Sequence, residues 1–277
     1  MDWKSYCLTF VDKLERQYLA KTGRHLDIRH PQTFTEKIQW MKIYDSSFLK
    51  AYCADKITLH DYSIKKLGYD LCIPLLATYE NPADINWDNL PNQFVIKCNH
   101  GSGYNIIVTD KNKIDKIKVI EQLNSWLKTD YGTIGYELHY NLIHKKVLIE
   151  EYKANDGQPD LIDYKLFCFN GVPKFWQVIT DRSHNEHISH YDMNWQYSPV
   201  YDWKKYDSIN NIPKPSHYDM MVDVANILNK DFNFVRVDFY IINDTVFLGE
   251  LTFTPADGYQ TFKFNNADLL IGNFLSL

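Results

Sequence analysis

Cysteine is scarce and unpatterned in this chain. The five residues Cys7, Cys53, Cys72, Cys98 and Cys168 are odd in number and scattered, with no C-x-x-C pair. This argues against a disulfide framework or a thiolate zinc site and fits a reducing compartment. Blocks of Lys and Arg are also missing. With 30 basic against 35 acidic side chains and a net charge of -5, the chain has no bulk electrostatic means of holding DNA or RNA, although a local basic pocket for a small anion remains open. No apolar run approaches the roughly 20 residues that span a bilayer, and Met1-Asp2-Trp3-Lys4 does not begin a secretory leader. The expectation is a soluble, cytoplasmic protein. Nor is there a G-x-S-x-G, an H-E-x-x-H, an Asp-x-Asp pair or a glycine loop followed by Lys-Ser/Thr. The usual marks of serine hydrolases, zincins, metal-dependent nucleotide-sugar transferases and P-loop enzymes are thus absent.

What is present is core-forming material. The 277 residues are 45% hydrophobic and include 20 Tyr, 15 Phe and 7 Trp, enough for one or two domains without covalent staples. The first 70 residues read as helical. Tyr6, Phe10, Leu14 and Tyr18 form one stripe, Thr33 and Glu36 form a capping box before a second helix, and a third helix spans 54–67 and stops at Gly68. Beyond Pro74 short apolar runs dominate, predicting strands over 94–98, 105–108, 147–152, 164–169, 172–180, 234–242 and 245–253. Helices are predicted over 114–127 and 216–228, and Asn170-Gly171 is a hairpin signal. No internal repeat or low-complexity linker appears, so boundaries fall in ordinary loops such as 154–159.

Four constellations carry candidate chemistry. The first is Phe94-Val-Ile-Lys97-Cys-Asn-His100-Gly101-Ser102-Gly103, a strand ending in lysine and opening into a glycine loop. Backbone N–H groups in such a loop approach phosphate oxygens while the lysine supplies charge; a plain hairpin turn explains the same residues. In the second, Glu150 and Glu151 end a strand on opposite faces, so only one points into a given cleft and the other is a solvated or salt-bridged edge charge. The third places Asp163 and Lys165 on one strand face, with Arg182 at the end of the partner strand. This suits either an anion site or cross-strand ion pairing.

The fourth is Arg236, Asp238 and Tyr240 on one face of a strand, followed by Glu250 and Thr252 on the next. A three-residue loop, Asn243-Asp244-Thr245, sets Asp238 opposite Glu250, and Mg²⁺ then relieves the repulsion. A two-residue loop puts the carboxylates on opposite faces. His184, His187 and His190 read as polar loop and strand-edge residues rather than a zinc site.

In this order the motifs resemble the ATP-grasp superfamily, and more closely its teichuronopeptide-biosynthesis-like (TupA-like) branch of surface-polysaccharide genes. The resemblance is carried by Phe34-Thr-Glu-Lys-Ile-Gln-Trp40, Leu90 to Lys97 with Asn99-His-Gly-Ser-Gly103, Asp163 to Gly171, Val235-Arg-Val-Asp-Phe-Tyr240 and Gly249-Glu-Leu-Thr-Phe253. It implies an α+β ATP-grasp fold, two antiparallel-sheet subdomains clasping a nucleotide. The implied divisions are a helix-rich segment 1–90, a lid subdomain 91–153 with the glycine flap, and a C-terminal subdomain 154–277 with the metal carboxylates.

By the same resemblance, ATP lies against Lys97, His100, Gly101, Ser102, Gly103, Glu150, Glu151, Tyr152, Asp163 and Lys165. Glu150 to Tyr152 forms the adenine hinge, partly through its backbone. Asp238, Glu250 and Thr252 hold Mg²⁺, threonine standing where many ATP-grasp ligases have asparagine. Arg182, Arg236 and Lys165 serve the transferring phosphate. The implied reaction is ATP-dependent amide formation through an acyl phosphate, between an acid and an amine that are small molecules or glycans, in association with polysaccharide-assembly enzymes. A glycosyltransferase or sugar kinase using the same cleft, or a non-catalytic nucleotide-binding module, fits the same residues.

Overall fold

The computed structural model describes residues 1–155 and 160–277. The candidate boundary loop 154–159 therefore lies, from 156 on, outside the described residues. The chain opens with α1 (Trp3–Leu8), α2 (Val11–Thr22), α3 (Phe34–Tyr44), α4 (Phe48–Ala54) and α5 (Thr58–Leu67). The capping box is present, since Thr33 accepts from the Glu36 N–H and the Glu36 carboxylate accepts from the Thr33 N–H. Gly68 ends α5 at φ 84°, the left-handed conformation that glycine adopts without a Cβ penalty. The stripe read as one first helix is broken at Thr9 and Phe10, and the predicted third helix is preceded by α4, with Asp55, Lys56 and Ile57 between α4 and α5.

Strand β1 (Leu75–Tyr79) precedes β2 (Phe94–Cys98), β3 (Asn105–Val108), α6 (Lys116–Lys128), α7 (Tyr131–Ile134) and β4 (Val147–Glu151). These strands form an antiparallel sheet in the order β1-β4-β2-β3. On β2, Phe94, Ile96 and Cys98 bury themselves with Val147 and Ile149 under Val119 and Leu123 of α6. By the period of two, Val95 and Lys97 face the other way.

The second sheet contains β5 (Asp163–Phe169), β6 (Val172–Thr180), β7 (His187–Asp192), β8 (Phe234–Ile242) and β9 (Thr245–Thr252), in the order β7-β6-β5-β8-β9. Between β7 and β8 lies α8 (Tyr218–Leu228), and α9 (Ala267–Gly272) closes the chain. One face, with Leu166, Trp176, Val178, Val237 and Phe239, packs on α5 and α8. On the other face Phe167, Phe169, Phe175 and Phe234 pack against Phe34, Ile38 and Met41 of α3 and against Ile271. Beyond this aromatic end the same face turns polar, and there the candidate site forms.

Two strands went unread. β1 is a five-residue edge strand with no fully buried residue, and β7 is the edge strand His187-Ile-Ser-His-Tyr-Asp192, whose four central residues are buried in succession but include only one aliphatic side chain, Ile188, too few to signal a strand. His187 pairs with Thr180 and His190 with Gln177, so these histidines point to opposite faces and form no common metal site.

Candidate active site

The site begins with a register. β8 and β9 are joined by a two-residue turn, Asn243-Asp244, both with positive φ (47° and 58°), and Ile242 pairs with Thr245. This corrects the three-residue loop. Continued unbroken, that register would turn Asp238 and Glu250 to opposite faces, but a β-bulge between Asp238 and Phe239 restores the pairing, and Asp238 lies opposite Glu250. Gly249 is the extra residue. A Cβ there would come within 2.7 Å of the Tyr240 ring.

The cation between these carboxylates is Arg236. Its Nε donates to Asp238 Oδ1 at 2.7 Å, and its Nη2 to Asp238 Oδ2 at 2.6 Å, to Glu250 Oε1 at 3.2 Å and to Thr252 Oγ1 at 3.1 Å. Lys165 pairs with Asp238 and, at 3.2 Å, with Asp163, which Arg182 also meets at 2.8 Å. The repulsion that sequence reasoning assigned to Mg²⁺ is thus already relieved by a bidentate guanidinium. Burial raises the Asp238 carboxyl, against Arg236 and Lys165. Burial alone would raise Glu250 as well, but Lys165, Arg236 and Lys56 outweigh it and hold that carboxyl well below the usual range.

A metal has a chemically suitable set of donors here. Glu250, Asp238 and Thr252 offer hard oxygens, the ligands Mg²⁺ takes. Glu250 is the accessible member, with its side chain 36% exposed and its contacts to Arg236 and Thr252 both made through Oε1. Asp238 is 1% exposed and has both oxygens committed to cations, so it can serve a metal only by exchanging one of them.

Glu250 lines two cavities. One, of about 80 Å³, lies between the sheets and is lined by Lys97 and Glu150 from the first, by Tyr240, Leu248 and Gly249 from the second, and by Lys56. Lys97 and Glu150 form an ion pair here. The other, of about 340 Å³, collects Lys165, Arg182, Arg236, Glu250 and Thr252. Its far wall carries Tyr131, Trp203 and Tyr206 and the acids Glu137 and Asp257.

That wall is anchored in strained backbone. Ala256, Asp257 and Gly258 hold φ of 49°, 54° and 65° in succession. Gln39 Nε2 donates to the Asp257 and Gly258 carbonyls at 3.0 and 2.9 Å, and Lys42 Nζ to that of Asp257 at 2.7 Å. Left-handed non-glycine residues persist where surroundings over-determine them, and they cluster at ligand sites. Beneath, Glu137 accepts from Thr254, and burial with Asp257 nearby pushes its carboxyl up to about 8.

Not every expected residue reaches these cavities. His100 is fully buried behind the flap, with its ring Nε2 at 3.2 Å from the Trp126 carbonyl, and burial pushes it down to about 4, so it brings no charge to a phosphate. Gly101 and Gly103 form the turn itself, at φ 89° and 77°, and a Cβ on Gly101 would strike the Tyr131 ring at 2.5 Å. Ser102, between them, lines the larger cavity. Glu151 pairs with Lys153 at 2.6 Å and, with Tyr152, lines a separate hollow beside Leu76 and Pro91. Asp163 is a buried counter-ion beneath Lys165 and Arg182 rather than a wall residue.

Lys56 was missed. It sits between α4 and α5, donates to the Gly101 carbonyl at 2.7 Å, and is lowered by burial. Glu137, Asp257 and Gln177 were missed too, because their placement depends on contacts distant in sequence. The cluster His60, Asp70 and Cys72 brings three metal-type ligands within 4.8 Å of one another, but the His60 ring and the Cys72 N–H both bond to Asp70.

The TupA-like ATPgrasp family model matches residues 36–276. No curated protein matches the sequence. Among solved structures, D-alanine–D-alanine ligase from Bacillus anthracis is 19% identical, with 74% of this chain and 57% of that chain covered and a TM-score of 0.44. The same enzyme complexed with ATP is 16% identical (79% and 63% covered, TM-score 0.44). The Helicobacter pylori enzyme is 16% identical (80% and 58% covered, TM-score 0.45). The chain spans less than two thirds of the length of these structures.

Proposed function

The chain belongs to the TupA-like ATP-grasp family, and from that premise we propose that it is a carboxylate–amine ligase, using ATP and Mg²⁺ to form an amide on a surface polysaccharide or its sugar-acid precursor. The observation that carries this reading is Glu250, shared by the inter-sheet cleft and the larger cavity. A group at that junction can face a nucleotide's terminal phosphate on one side and an acceptor on the other.

In this reading residues 1–90 form a helix-rich segment that also lends β1 to the lid sheet, 91–153 the rest of the lid and 154–277 the metal-bearing subdomain. Lys97 and Lys56 receive the phosphates, which replace Glu150 as the partner of Lys97. Glu250, with Asp238 and Thr252, holds Mg²⁺, which supplies neutralising charge to the phosphates. A carboxylate oxygen of the acid attacks the γ-phosphorus, the bond to the bridging oxygen breaks, and ADP departs. Lys165, Arg182 and Arg236 offset the charge spread over the transferring group. The amine nitrogen then attacks the acyl carbon, phosphate leaves, and the nitrogen gives up its proton. No covalent protein nucleophile is needed.

No helix among the described residues is long and apolar enough to cross a membrane, and we read the enzyme as acting in the cytoplasm on diffusible or glycan substrates, alongside polysaccharide-assembly enzymes. The test is release of ADP and phosphate that requires Mg²⁺, an acid and an amine together and is nearly abolished in Lys97→Ala and Asp238→Asn. Turnover without an amine would instead point to a kinase.

A further inference from the structure

The charged row Lys165–Asp238–Glu250 does not end at Lys165. In the antiparallel register Glu250 faces Asp238, Asp238 faces Lys165, Lys165 faces Gln177, and Gln177 faces His190. Each of the five strands contributes one polar residue to a single line across the sheet, and directly paired residues share a face. Gln177 and His190 are fully buried, and Gln177 lines the larger cavity with Lys165 and Arg182.

The orientation of the Gln177 amide follows from its neighbours. Asp202 is held below the usual carboxylate range because, against its burial, it accepts from His190, Ser208 and Tyr197. His190 Nδ1 lies 3.0 Å from Asp202 Oδ1, and a carboxylate can only accept, so the ring proton sits on Nδ1. Burial holds His190 below its ordinary value despite Asp202, which keeps the ring neutral. Its Nε2 is therefore an acceptor, and the group 3.1 Å away must be the Gln177 NH₂. Gln177 Oε1 is then turned from the ring. It has no hydrogen-bond partner among the described residues, and Lys165, its cross-strand neighbour, spends its ammonium on Asp163 and Asp238. A buried acceptor left open by three cooperating residues awaits a donor.

We propose that Gln177 selects the acid substrate: its Oε1, aimed by the Asp202–His190 pair, accepts a hydrogen bond from a hydroxyl or amino group borne by the acid whose carboxylate is activated beside Lys165 and Arg182. The acid is thus a hydroxy or amino acid, sugar acids included, rather than a plain carboxylate. This rests on the ligase reading. Gln177 binds substrate, whereas His190 and Asp202 are positioning residues.

The test has two arms. In ¹⁵N NMR of the wild-type protein, His190 is expected to carry its proton on Nδ1 with Nε2 bare; a proton on Nε2 would reverse the amide and overturn the proposal while leaving the ligase reading intact. In the second arm, ADP release is measured with Mg·ATP and hydroxylamine as the amine, comparing lactate with propionate, glycine with acetate, and glucuronate with cyclohexanecarboxylate. At least one donor-bearing acid is expected to exceed its plain partner by at least about a hundredfold in kcat/KM, and Gln177→Met to shrink that gap below about tenfold. The hydroxy, amino and sugar arms identify which donor is read. An unchanged gap in Gln177→Met, or a plain acid that works equally well, overturns the proposal. Failure of every acid in a protein that binds Mg·ATP overturns the ligase reading and this proposal together.

Discussion

Asp238 and Glu250 stand opposite one another on neighbouring strands although the two-residue turn that joins those strands would, unaided, turn them to opposite faces. The bulge at Gly249 supplies the one-residue shift, and the Arg236 guanidinium binds both carboxylates in the space that shift creates. Backbone irregularity and buried charge are thus two parts of one arrangement.

Gly249→Ala tests the first part. The added Cβ meets the Tyr240 ring at 2.7 Å and the Asp238 carbonyl at 3.4 Å, so either the ring gives way or the bulge is lost. The expected cost is about 1–3 kcal/mol, read by chemical denaturation, together with at least about a tenfold loss of Mg²⁺-dependent ADP release. A variant with wild-type stability and activity contradicts the role given to the bulge.

Arg236→Met tests the second. It leaves Asp238 buried with only Lys165 and removes the group between it and Glu250. Breaking a buried pair from one side costs about 3–5 kcal/mol. Arg236→Lys should recover part of the stability without restoring the fork-shaped contact to Asp238. Equilibrium unfolding of both variants measures this, and equal stability of Arg236→Met and wild type rules it out.

Glu137 makes stability depend on pH. Its carboxyl rises from the ordinary 4.5 to about 8 through burial and the nearby Asp257. Between those values the folded chain keeps on Glu137 a proton that the unfolded chain has released, so the contribution of this carboxyl to stability is lost as pH rises from about 5 to about 8. Lys42, lowered by burial to about 8, acts in the opposite sense only above that range. Unfolding free energies of wild type and Glu137→Gln should therefore diverge between pH 5 and 8, with the variant gaining relative stability; parallel curves would contradict the assignment.

His100 belongs to the packing of the flap rather than to its chemistry. Buried against Tyr104 and neutral, it should affect stability when changed to Leu, by about 1–3 kcal/mol, while Mg·ATP affinity stays within about threefold of wild type. Calorimetric titration beside thermal unfolding separates the two effects, and a large loss of affinity without loss of stability would restore His100 to the nucleotide site.

Much of this arrangement was legible because strand alternation is a local signal. Lys97, Lys165, Arg236, Asp238 and Glu250 stand out as charges on apolar strands, and period two already says which share a face. Alternation carries no information about a bulge: Gly249 reads merely as permissive, and the correct facing of Asp238 and Glu250 was reached through a loop length that the structure corrects. Lys56 was hidden because the third helix, predicted to start at residue 54, runs across the break between α4 and α5 where Lys56 sits. His100 seemed a phosphate ligand because a histidine in a glycine loop looks the same whether it turns outward or, as here, inward beneath Trp126. Glu137, Asp257 and Gln177 come from three separate parts of the chain and meet only in the folded cavity. Those are tertiary facts with no local pattern.

In the ligase reading the junction at Glu250 belongs to an ATP·Mg²⁺ site, and thermal unfolding with and without ligand measures whether it does. At about 100 times its dissociation constant Mg·ATP should add about 2.7 kcal/mol, a gain that a nucleoside-diphosphate sugar does not reproduce and that disappears in Lys97→Ala and Glu250→Gln. Stabilisation by the nucleotide sugar and none by Mg·ATP would show that the junction at Glu250 is not an ATP·Mg²⁺ site.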